Sequence, residues 1–171
     1  MRFVCLDRII EVEPGRRLVA EKCVSLAEEY LADHFPTFPV MPGVLMLQAM
    51  AEAAAWLVHI STDFAHSLVY LEEVKSATYK SFLKPGDRLR VEVSAKRIDE
   101  SGSDFVGLGL RDGEEVVRAR LALRHANLAG RDARYEELDR RLIHQARSRW
   151  GLLGGSRLLG SAAVSSVPTP G

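Results

Sequence analysis

The sequence predicts an α+β domain in which an antiparallel sheet wraps around one long buried helix. Three observations carry that expectation. Residues 44–58 hold no helix breaker and almost no polar side chain, so the segment is apolar on every side and must sit inside the fold. Residues 88–98 and 105–124 instead alternate polar and apolar side chains at period two, the pattern of strands with one face buried and one in water. Turn signals punctuate the strands, with Lys84-Pro85-Gly86-Asp87 before the first of them and Asp112-Gly113 inside the second stretch.

Taken in order, Met1 to Val12 ends in a β-branched run and Pro14-Gly15 builds a turn. Leu18 to Val24 alternates loosely and pairs with the preceding segment as a first hairpin or crossover. Ser25 is placed to cap a brief helix over 26–32, with Leu26, Tyr30 and Leu31 on its apolar side. After the central helix, Ser67 to Tyr79 has strand composition. RLRVEVSAKRI at 88–98 follows, then a turn at 100–104. FVGLGLR and VVRARLALR, joined by Asp112-Gly113, complete a second hairpin.

The texture changes beyond Arg124. Residues 1–125 make the domain, and 126–171 form an extension with an amphipathic helix from about 132 to 150 and a mobile Gly/Ser-rich tail. Tyr135, Leu138, Leu142 and Ala146 are its apolar positions. That face packs on its own sheet or a sister subunit, or else meets a membrane surface or a carrier protein.

The chemistry concentrates between His34 and Leu57. Pro36, Pro39 and Pro42 hold the loop extended or turned, and Pro42 suits a helix start because its missing N–H costs nothing there. Gln48 and Glu52, the two polar residues of the helix, are four apart and share a face. A loop histidine titrates near neutrality and can act as a general base. The amides of Gly43 and Val44, at the positive end of the helix dipole, would hold an oxygen that gains negative charge. Each signal is weak alone. A loop histidine is more often structural than catalytic, and buried Gln or Glu often only satisfies loop backbone groups.

Composition narrows the partners. The chain is 47% hydrophobic and 27% charged with zero formal net charge, so whole-chain electrostatics argue for neither nucleic acid nor an anionic membrane. Cys5 and Cys23 lack metal-ligand or CxxC spacing and read as reduced packing residues. No metal site is expected. No secretory leader opens the sequence, which makes the cytoplasm the expected location. The apolar stretch around 40–60 nears membrane-spanning length, but Gln48, Glu52 and its prolines favour a core helix.

HFPTFPVMPGVL, followed by a polar residue and AMA, resembles the signature of the 3-hydroxyacyl-acyl-carrier-protein dehydratases of the hot-dog fold. LDRIIEVEPGRRLVAEKCVS and SFLKPGDRLRVEV resemble other parts of the same family, so that the similarity spans about Phe3 to Arg124. The resemblance implies a hot-dog fold and a homodimer, or higher homo-oligomer, that pairs sheets edge to edge. It implies dehydration of 3-hydroxyacyl thioesters carried on the phosphopantetheine of an acyl-carrier protein, with no other cofactor. His34 matches the catalytic histidine, the Val40 carbonyl its orienter, and the Gly43 amide, with Val44 beside it, the donor to the thioester carbonyl.

One departure stands out. Members of the family place Glu or Asp where Gln48 stands, and Gln where Glu52 stands, so the pair is exchanged here. Gln48 has no proton to give at physiological pH. Three outcomes compete: Glu52 supplies the acid from one turn away; His34 works with Gln48, slowly or as a thioesterase; or the protein binds acyl thioesters without catalysis or with a competent paralogue. Thr37 also stands where the family usually has Gly. Since carrier proteins are acidic, Lys80, Lys84, Arg88 and Arg90 are candidate docking residues, against the plainer reading of a solvated strand face.

Overall fold

The computed structural model describes residues 5–155 and 157–158. Six strands form one antiparallel sheet in the order β1-β2-β4-β5-β6-β3. They are β1 (Arg8–Glu13), β2 (Arg17–Cys23), β3 (Leu68–Tyr79), β4 (Arg88–Ile98), β5 (Gly102–Arg111) and β6 (Glu114–Ala126). The helices are α1 (Tyr30–Asp33), α2 (Gly43–Ser61) and α3 (Glu136–Leu152), with two single 3-10 turns, Leu128–Gly130 and Ala133–Tyr135, leading into the last.

Alternation along the strands settles which face meets the core. On β4, Leu89, Val91 and Val93 are fully buried while Arg88, Arg90 and Glu92 point away. The register carries that choice across the sheet, since Val91 lies opposite Ala20 on β2 and Gly109 on β5. Slipping one residue would turn every apolar side chain outward.

The sheet curls around α2, whose Met46, Ala49, Met50, Ala53, Ala54, Leu57 and Val58 are buried. By length and apolarity alone this helix would pass for a membrane span, but 56% of its most apolar window is buried against the sheet, as a core helix requires. Close approach is possible because β5 carries glycine where α2 crosses it. A Cβ added to Gly107 would lie 2.8 Å from the sulfur of Met50.

The extension beyond β6 lies on the open side of α2. Asp139 accepts from the Leu128 amide at 3.0 Å, the Ala129 amide at 2.8 Å and the Ser67 hydroxyl. Trp150 packs against Trp56 with ring centroids 5.9 Å apart, and the Ile9 amide donates to the Leu153 carbonyl at 2.9 Å.

Several expectations need correction. The helix over 26–32 shrinks to α1, because Ser25 closes a local turn instead: its hydroxyl accepts from the Ala27 amide and its carbonyl from the Glu28 amide. Leu26 is consequently exposed. In α3 the inward face is Asp139, Ile143, Ala146 and Trp150, whereas Tyr135 and Leu138 face outward. Cys5 is buried but Cys23, ending β2, is exposed, and both are free thiols. The expected mobile tail beyond residue 158 lies outside the described residues.

Candidate functional site

His34 terminates α1 and opens a loop that the backbone ties tightly. Its Nδ1 lies 3.0 Å from the Val40 carbonyl, and the Val40 amide donates to the His34 carbonyl at 3.0 Å. A carbonyl can only accept, so Nδ1 carries the hydrogen and the neutral ring keeps its lone pair on Nε2. The Phe38 amide closes a turn onto the Phe35 carbonyl at 2.9 Å, and the Met41 amide joins the loop to Leu83 at 2.8 Å. The imidazole stacks on Phe35 at 4.3 Å. Val40 is wholly buried, so its carbonyl is a fixed reference for the ring.

Pro42 caps α2 without a side-chain hydrogen bond, and the first amide to find an intrahelical acceptor is that of Leu45, on the Pro42 carbonyl at 2.9 Å. The Gly43 and Val44 amides are thus the helix's unpaired donors, at the positive end of its dipole. Val44 is 68% exposed. Gly43 is required by its neighbour: an added Cβ would meet the Tyr79 ring at 2.7 Å. Tyr79 ends β3, and burial raises its phenol pKa. Nothing in the sequence periodicity pointed to that residue, because its contact crosses from the end of β3 to the start of α2.

Gln48 is exposed on α2, one turn before Glu52. The Glu52 carboxylate is engaged on both oxygens, accepting from Arg149 of α3 at 2.7 Å and from the Cys5 amide at 3.0 Å. Together they line a cavity of about 420 Å³ between α2, β3 and α3, whose walls include Tyr70, Leu142, Ala146 and Arg149. His34 is not among its lining residues. Within one chain, then, the structure brings Gln48 and Glu52 together and leaves His34 apart from them.

Three of the four candidate docking cations are paired within the chain: Lys80 with Glu115 at 2.9 Å, Arg88 with Glu21 at 3.8 Å, and Arg90 with Glu92 at 2.9 Å. Lys84 differs, standing 4.9 Å above the Phe38 ring. Phe38 meets Phe82 edge-on at 6.1 Å, and with Phe35 these form an exposed aromatic rim beside His34. Among the described residues, no group of three or more His, Cys, Asp or Glu side chains is arranged to hold a metal.

The arrangement offers a base with an open nitrogen, a helix terminus with free amides, and a cavity lined by two side-chain amides, Gln48 and Gln145, and one engaged carboxylate. Residues 1–120 match the family model of the FabA-like domain. The chain is similar to the 3-hydroxyacyl-[acyl-carrier-protein] dehydratase FabZ of Variovorax paradoxus, 39% identical over 130 residues that cover 73% of this chain and 87% of that protein. It is 38% identical to the FabZ of Bordetella pertussis over 125 residues, 70% of this chain and 83% of the relative. Among solved structures it resembles the dehydratase heterocomplex ApeI:P of Xenorhabdus doucetiae, with TM-score 0.62 and 20% identity over 74% of this chain and 85% of the other. It also resembles the thioesterase PA1618 (Q49A) of Pseudomonas aeruginosa, with TM-score 0.56 and 17% identity over 71% and 81%. These two likenesses speak to the fold alone, the hot-dog arrangement of a sheet around a helix.

Proposed function

The chain belongs to the FabA-like family, and from that membership we propose that it dehydrates 3-hydroxyacyl thioesters carried on acyl-carrier protein to trans-2-enoyl thioesters in fatty-acid synthesis. The supporting observation is His34, which sits in the family motif with Nδ1 on the Val40 carbonyl and Nε2 open. No metal or redox cofactor takes part; the phosphopantetheine arm belongs to the substrate. The setting is cytoplasmic.

The chemistry follows from the placed groups. His34 Nε2 removes the proton beside the thioester carbonyl, and the electron pair moves onto the carbonyl oxygen. The Gly43 N–H, with Val44 next to it, holds that enolate oxygen. Collapse of the enolate expels the hydroxyl at C3, which a water held by Gln48 protonates; the imidazolium then returns a proton to the hydroxide left behind. The net products are the enoyl thioester and one water. Glu52 serves the fold rather than the proton transfer, because Arg149 and the Cys5 amide already occupy its oxygens.

A dimer supports this mechanism by supplying the pieces that one chain keeps apart. β3 is a long edge strand with one ladder side unpaired, exposing Tyr70, Val74 and Tyr79. Such an edge invites pairing with a second copy. In the proposed homodimer, one protomer contributes His34 and the other Gln48 to each site. Pairing with a paralogue that brings the missing acid is the competing assembly.

The test is interconversion of 3-hydroxyacyl and trans-2-enoyl thioesters by the purified protein, with thiol release followed alongside and molar mass measured by light scattering. Enoyl formation by a homodimer is expected. Thiol release without enoyl product would replace the reading with a thioesterase, and activity only on adding a paralogue would replace the homodimer.

A further inference from the structure

We infer that α3, from the extension beyond the family match, forms the wall that sets how long an acyl chain the site accepts. This rests on the dehydratase reading, which supplies the occupant: the hydrocarbon tail of the thioester. The cavity of about 420 Å³ falls within the usual range for small-molecule sites, about 300–1,000 Å³. It begins at Gln48, where the reacting end of the substrate lies, and follows α2 past Ala51 and Ala55 to His59. The eleven helical steps from Gln48 to His59 span about 16 Å, a length suited to an extended chain.

Its two ends differ in character. The Gln48 end carries polar groups, including the Glu52–Arg149 pair, and suits the oxygenated head of a 3-hydroxyacyl group. Beyond it Ala51 and Ala55 leave room on α2, Val69 and Leu71 close the β3 side, and Leu142 and Ala146 close the α3 side, with Gln145 and His59 the polar side chains among them. The family match ends at residue 120, so Leu142 and Ala146 are contributions of this chain's own extension. α3 is held at both ends, by the Asp139 bonds near its start and by Arg149 and Trp150 near its finish. A wall fixed in this way discriminates by size.

The experiment measures binding and turnover of 3-hydroxybutyryl, 3-hydroxyoctanoyl and 3-hydroxydodecanoyl pantetheine by calorimetry and enoyl formation. Wild-type protein, Ala146→Trp and Leu142→Ala are compared, with circular dichroism to verify folding. The indole of Ala146→Trp fills the cavity, so dodecanoyl binding weakens about 10-fold or more while butyryl binding holds. Leu142→Ala enlarges the cavity and shifts preference toward the longest chain, which keeps the inference testable if the tryptophan variant does not fold. Folded variants that change all three lengths equally, or none, overturn it while the dehydratase reading stands. Wild-type protein that binds none of the three thioesters overturns both.

Discussion

His34 and Val40 are bonded to each other twice, imidazole Nδ1 to carbonyl and amide to carbonyl, both at 3.0 Å. The pair fixes the ring's orientation and its tautomer with backbone groups alone. His34→Ala removes the base and leaves the Val40 amide bond intact. Turnover falls by about 10²- to 10⁴-fold with little change in melting temperature, measured by enoyl formation and thermal scanning.

Gln48 and Glu52 separate under substitution. Gln48→Glu restores an ionisable group and raises the dehydration rate, the gain being read as kcat. Glu52→Gln weakens the contact with Arg149 and costs about 1–3 kcal/mol of stability, with turnover below the melting point changed only a few-fold. Loss of turnover in a folded Glu52→Gln protein would instead make Glu52 the acid.

Acid should loosen the fold through His59. Burial, followed by the nearby His66 and His125, lowers its pKa from 6.5 to about 4. Below about 6.5 the unfolded chain takes up a proton that the folded one refuses, so stability declines as pH falls, levelling off below about 4. The loss is on the order of 3 kcal/mol. Urea midpoints across that range record it, and His59→Gln flattens the curve.

Asp139 anchors the start of α3 with three donors on a carboxylate that is 6% exposed. Asp139→Asn turns an amide NH₂ toward donors and leaves one unpaired, a cost of about 1–3 kcal/mol. Faster hydrogen exchange confined to residues 128–152 and their contacts is the expected signature.

Much of this was legible in the residues. The alternation in 88–98 and 105–124 marks strands because one face of a curled sheet is buried, and the apolar run marks α2 because it is too long for a buried strand. The His34 loop was legible through its prolines and its motif. What escaped was set by contacts between distant segments. Tyr79 reaches Gly43 across the fold, and Arg149 meets Glu52 from 97 positions away. No local pattern encodes such meetings.

The Glu52 clasp has a practical reach. One carboxylate midway along the core rod fastens both the leading segment, through Cys5, and the trailing helix, through Arg149. Cropping the polypeptide behind the sheet, or fusing a bulky partner ahead of its first strand, therefore tugs on the turn of α2 that follows Gln48. Changes made at either extremity will be felt at the centre.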